Sequence, residues 1–166
     1  MGAADMAERE AFMQKELMIE KVRDYLEKDE WKYEYNPTKE IIRTGMGLKS
    51  KLGHIQIFFV FGEKGYSVVA YPQMNAGIEE RQETMEFITR ANWGLRNGNF
   101  EMDLSDGQVR YKLYVNTQEQ EKLPEQIVKE SFGIPILMFE RYGDGLAAVM
   151  LGFSDAKTEI EKAERK

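Results

Sequence analysis

Between Ala4 and Lys28 the apolar residues fall at helical spacing. Phe12, Ile19, Val22 and Leu26 recur at intervals of seven, three and four, with Met18 and Tyr25 beside them, while Glu8-Arg9-Glu10 and Lys15-Glu16 fill the other side. The spacing predicts an amphipathic helix. The period then changes to two. Trp31 to Tyr35 alternates as a half-buried strand does, and Asn36-Pro37 stops it. Ile41 to Thr44 reads as a second strand, followed by a flexible connection over Gly45 to Lys49. His54 to Phe61 is the most apolar strand, and Gly62-Glu63-Lys64-Gly65 turns it into Tyr66 to Tyr71, which Pro72 ends. Pairing Phe61 with Tyr66 sets Phe59 against Val68 and Phe58 against Val69. Both faces of this pair are apolar, so both want cover. Helices can take one; the other calls for a loop, a second subunit or a client. Phe58, Val60, Val69 and Tyr71 form that uncommitted face and are the candidate partner-binding residues.

Further along, Phe87, Ala91 and Leu95, with Ile88, mark the core stripe of a helix from Ile78 to Asn97, and Gly98 is placed to close it. A hairpin follows, turning at Asp106-Gly107. With Ser105 opposite Gln108, Phe100 meets Leu113, Met102 meets Tyr111 and Leu104 meets Val109 on one face. Glu101 meets Lys112 and Asp103 meets Arg110 on the other. After Pro124 the pattern gives a short helix over Gln126 to Phe132, an interruption at Gly133-Ile134-Pro135, and a second helix through Met150 that Gly152 ends. Within it, Gly143 and Gly145 either loosen the helix or let another backbone come close. Ser154-Asp155 can cap a charged last segment, residues 154–166, whose one large apolar residue, Ile160, leaves it prone to fray. The expectation is a single α+β domain over residues 1–166, with its core at about 4–152. It has a twisted antiparallel sheet of five or six strands and N-terminal, central and C-terminal helices.

Charge and chemistry narrow the function. With 23 basic and 29 acidic residues the net charge is −6, which disfavours general binding to nucleic acid or anionic membranes. The absence of cysteine removes disulfides, thiolate nucleophiles and cysteine metal sites and fits a reducing, cytoplasmic setting. Neither a secretory signal nor an apolar run of membrane-spanning length is present. His54 stands alone, so neither a metal cluster nor a histidine triad can be assembled, and no metal or cofactor is expected. Glu101, Asp103 and Asp106 gather near the hairpin, but Lys112 and Arg110 stand across from them, the arrangement of an ion-paired sheet face. Gly45-Met46-Gly47 and Gly143-Asp144-Gly145 lack the spacing of phosphate loops. Trp31, Tyr33 and Tyr35, with Phe58 and Tyr71, would make a base-stacking platform if they shared an open face, but core packing explains them and the acidic charge strongly favours it. No catalytic constellation emerges, so the reading is non-enzymatic.

The order of elements, the segment Ala91-Asn92-Trp93-Gly94-Leu95-Arg96-Asn97-Gly98-Asn99-Phe100-Glu101 leading into the hairpin, and Phe139-Glu140-Arg141-Tyr142 in the last long helix together resemble the YbjN family. These are small bacterial proteins labelled sensory transduction regulators. The resemblance covers roughly residues 15 to 152. It implies a fold like that of type III secretion chaperones, a homodimer, and extended protein clients held on apolar patches; it implies neither catalytic residues nor a cofactor. The function expected is therefore a protein-binding module, chaperone-like or an adaptor in a regulatory pathway. A small-ligand sensor is the alternative, its pocket between the sheet and the C-terminal helix near Tyr142 and Asp144.

Overall fold

The computed structural model describes residues 2–118, 120 and 122–165. Among these residues six strands form one open antiparallel sheet in the order β1-β2-β3-β4-β6-β5. They are β1 (Glu34–Asn36), β2 (Ile41–Gly47), β3 (His54–Phe61), β4 (Gly65–Pro72), β5 (Asn99–Met102) and β6 (Val109–Asn116). Among the described residues four helices accompany them: α1 (Ala3–Lys28), α2 (Arg81–Asn92), α3 (Glu125–Met150) and α4 (Ala156–Glu164). The chain is thus an α+β protein with helices on one face of the sheet. α3 lies over β4 and β6, α1 over β3 and β4, and α2 over β5, while α4 packs on α2 and α3 alone.

The core is the layer between sheet and helices. Alternate residues Ile55, Ile57, Phe59 and Phe61 of β3 are buried there, opposite Tyr66, Val68 and Ala70 of β4. Phe132 of α3 stacks on Phe59 with ring centroids 5.8 Å apart. Phe100 of β5 meets Phe139 and Tyr142 of α3 edge-on at 5.5 and 5.8 Å. The pairings Phe61–Tyr66, Phe59–Val68 and Phe58–Val69 occur as the sequence pattern predicts.

Elsewhere tertiary contacts override the local pattern. Of the Trp31–Tyr35 stretch only Glu34 and Tyr35 are strand, and the strand runs on to Asn36. Trp31 turns instead onto Phe132, 4.7 Å between centroids, and the Tyr33 hydroxyl accepts from Arg23 Nε at 3.1 Å and donates to Glu27. Gly45 to Gly47 are strand rather than connection, because they pair with His54 to Gln56 of β3. α2 stops at Asn92, short of Asn97, where the Asn92 side chain leaves the helix to bond the backbone of Phe100. Gly98 accordingly is not the helix cap. It has φ +77°, and a Cβ there would come within 2.6 Å of the Lys112 carbonyl.

The hairpin register differs from the predicted one by two residues. Phe100 faces Tyr111, Glu101 faces Arg110 and Met102 faces Val109. Gly107 is left-handed at φ +77° but Asp106 is not, so the type I′ turn is absent. A four-residue loop replaces it, closed by the Asp103 amide on the Gln108 carbonyl (2.9 Å) and the Gly107 amide on the Asp103 carbonyl (2.8 Å). Its cause is a long-range contact: the Ala76 amide donates to the Gly107 carbonyl at 2.9 Å, and Asn75 bridges Gln108. A two-residue slip keeps each side chain on its face, which is why the burial pattern survives; Leu104, however, ends exposed at the loop.

α3 runs through Pro135 without a break. A proline inside a helix costs about 3 kcal/mol, but Phe132 before it and Phe139 after it are both in the core, and burying each returns roughly 1.5–3 kcal/mol. The charged last segment is ordered as α4. Asp155 caps it by accepting from the Thr158 amide at 2.9 Å, and Ala156 and Ile160 are buried against the neighbouring helices. No helix among the described residues is long and apolar enough to cross a membrane.

Candidate functional site

Among the described residues, every helix that packs on the sheet lies on one side, and no helix covers the other face. Odd and even positions along β3 divide the work: Phe59 is in the core, while Phe58 and Val60 stand on the open face. On β4, Val69 lies directly opposite Phe58, and Tyr71 opposite Gln56. The Phe58 and Tyr71 rings meet edge-to-face at 5.8 Å and 82°. Thus the four candidate partner-binding residues, Phe58, Val60, Val69 and Tyr71, come together as one apolar patch. They line a cavity of about 550 Å³ whose polar end is made by Gln73, Asn75 and Gln108. Val69 is nearly covered by its strand neighbours, whereas Val60 keeps 38% of its surface in solvent.

Charge surrounds this apolar centre. On the β6–β5 flank Glu101 takes both Arg110 (2.6 Å) and Lys112 (2.9 Å). Partial burial alone would raise the Glu101 carboxyl, but hydrogen bonds from Lys112, Arg110 and Asn99 outweigh it and hold it below the usual range. Arg110 also donates to the Tyr71 hydroxyl at 3.3 Å, tying the flank to the patch. On the β1–β2 flank two adjoining cavities are lined by Lys32, Lys39 and Arg43 with Glu34. Among the described residues, this rim thus brings five cations together with three carboxylates, Glu34 paired with Arg43 at 3.8 Å, Glu101, and Asp103 in the field of Arg110, on a chain whose net charge is −6. Sequence reasoning missed this basic rim. Its residues are scattered from position 32 to position 112, and only the sheet order assembles them.

The other candidates go elsewhere. Trp31, Tyr33 and Tyr35 pack on the helix side, so they share no platform with Phe58 and Tyr71. Glu101, Asp103 and Asp106 do not form an acid cluster: Asp103 accepts from the Ser105 amide and hydroxyl at 2.8 and 2.6 Å, and Asp106 from the Gln108 amide at 2.9 Å. Tyr142 is buried, with its hydroxyl donating to Glu164 at 3.0 Å, and Asp144 accepts from the Lys51 amide at 2.7 Å. Both residues of the alternative ligand site are engaged by the fold itself. Gly143 and Gly145 provide close approach there: a Cβ at Gly143 would stand 2.4 Å from Ser50 Oγ, and one at Gly145 2.9 Å from Glu159 Cβ. Among the described residues no group of three His, Asp or Glu side chains is placed to hold a metal ion.

Comparison with known families fits this architecture. Residues 19–147 match the YbjN model, described as "Putative bacterial sensory transduction regulator". The chain belongs to the YbjN family. That membership supports a regulatory role. The matched span runs from within α1 to within α3, so the whole sheet, including its open face, belongs to the YbjN region. A comparison with curated proteins gave no match.

Proposed function

We propose that this YbjN protein is a non-enzymatic binding module that acts in regulation by holding a segment of another protein on its open sheet face. The observation that carries the reading is the patch itself. Phe58, Val60, Val69 and Tyr71 are apolar, adjacent, and on the sheet face that no helix packs against. Apolar centres rimmed by polar groups are where protein partners dock, and the basic rim favours a partner segment that is apolar with acidic flanks. An adaptor or chaperone-like holder needs no more chemistry than this.

The test is retention of a partner by tagged protein isolated gently from its host, followed by the same isolation with Val60→Asp and Tyr71→Ala chains of unchanged melting temperature. A stoichiometric protein kept by the native chain and lost by both variants supports the site. Equal retention by the variants removes it, whatever the partner proves to be.

A further inference from the structure

The first turns of α1 are shaped for a surface that the single chain does not offer them. Residues 4–10 are all exposed, and Met6, Phe12 and Met13 keep 51%, 60% and 72% of their surface in solvent. Among the described hydrogen bonds, the first that ties α1 to another element is from Gln14 to the Thr117 carbonyl, followed by Lys15 to Glu40 at 2.9 Å. Full burial begins at Met18. About ten residues, or ~15 Å at 1.5 Å per residue, therefore project beyond the body as a helical arm. A helix of that length gains little from propensity alone, and an apolar stripe along it is normally what holds such a helix by packing.

The arm leaves the body at the end of the sheet that carries the β1–β2 and β3–β4 turns. Lys15 is anchored to Glu40 in the β1–β2 turn, and the Phe61 amide donates to the Glu40 carbonyl. Phe12 borders Glu63 in the β3–β4 turn. Ile41 and Val60, paired across β2 and β3, form the end of the apolar patch beside these same turns. Arm and face also carry opposite charge. Residues 4–14 hold Asp5, Glu8 and Glu10 against Arg9, while the face has an excess of cations.

We propose that the α1 arm of one copy lies across the open sheet face of a second copy, and the second arm across the first face, in a two-fold dimer. Met6, Phe12 and Met13 then cover the Phe58–Val60 patch, and the acidic side chains of the arm meet the rim cations. A two-fold pairing closes with both arms and both faces used, so it makes a dimer and not a filament. The inference rests on the reading of this face as a binding surface, and it makes the arm the occupant that a protein partner must displace.

Sedimentation velocity with native mass spectrometry tests it. The native chain is expected at twice its 19.3 kDa. A Phe12→Glu/Met13→Glu chain and a Val60→Glu chain are each expected as monomers with the native far-UV circular dichroism, since all three side chains are exposed, melting lower only by the stabilisation that the dimer contact supplies. Mixed, the two variants should re-form a one-to-one heterodimer, because together they retain one native arm and one native face. A monomeric native chain, a dimer indifferent to the arm substitutions, or monomers that do not recombine would each overturn the inference. The reading of the face stands or falls separately: a partner lost on Val60→Asp keeps it even if the native chain is a monomer.

Discussion

Asn92 does with its side chain what a strand residue does with its backbone. Its Nδ2 donates to the Phe100 carbonyl at 2.9 Å and its Oδ1 accepts from the Phe100 amide at 2.8 Å, so one amide side chain starts β5 and ends α2 together. Replacing it by alanine leaves both backbone groups of a buried residue without those partners. Asn92→Ala should therefore lower stability by about 1–3 kcal/mol in urea unfolding and speed exchange of the Phe100 amide; an unchanged midpoint would show that water takes over both bonds. The buried tyrosines make a second residue-scale case. Burial pushes the Tyr66 phenol up to about 12, against a smaller lowering by its hydrogen bond with Ser131, and burial also takes Tyr111 to about 12. The ordinary value is 10.0. Because the folded state favours the protonated phenol, this contribution to stability is complete below pH 10 and is lost as pH rises toward 12. Tyrosinate absorbance should accordingly show these two phenols ionising together with unfolding; their ionisation in the still-folded protein near pH 10 would refute the assignment.

At the scale of elements, α3 is the strut that gathers the rest, and it does so partly through a clamp. Glu140 and Asp144, one turn apart on the same helix face, accept from three successive amides of the β2–β3 connection: Lys49 (2.8 Å), Ser50 (3.1 Å) and Lys51 (2.7 Å). Gly143 between them lets Ser50 approach. Two glycines of this one helix thus make opposite predictions. A Cβ at Gly133 would meet nothing within 4 Å, so Gly133→Ala should stabilise by up to about 1 kcal/mol through helix propensity. Gly143→Ala gains the same propensity but drives a methyl into Ser50, and should destabilise by about 1–3 kcal/mol net. Thermal unfolding of both variants decides it; equal shifts would mean the loop yields freely. The clamp, like the true hairpin register and the continuous α3, was not legible in the sequence, since each depends on a partner far along the chain: Ser50 for Gly143, Ala76 for Gly107, the core around Phe132 and Phe139 for Pro135. What was legible is whatever neighbours decide. The β3–β4 pairing followed from a short turn and an apolar pattern, and the open-face residues Phe58, Val60, Val69 and Tyr71 followed from that pairing.

For the molecule as a whole, the decisive asymmetry is that one sheet face is packed by helices and makes the fold, while the other has no helix against it. Adjacent residues of one strand divide along this line. Phe59 is fully buried, stacked on Phe132 and tilted against Tyr66, whereas Phe58 touches its strand neighbours and the edge of Tyr71 on the side away from the helices. The two have the same composition and equal strand propensity, so a difference between their alanine variants reports the role of the face and little else. Phe59→Ala should cost about 3–5 kcal/mol by opening a cavity in the core. Phe58→Ala removes an edge-on aromatic contact worth about 0.5–1.5 kcal/mol together with some partly exposed area, and its cost should stay well below that of its neighbour. Measured by urea unfolding at a concentration where the chain is monomeric, the gap between the two variants gauges how far the open face is free of structural duty. Were Phe58→Ala as damaging as Phe59→Ala, the patch would be part of the folding core, and its apolar residues would need no partner to account for them.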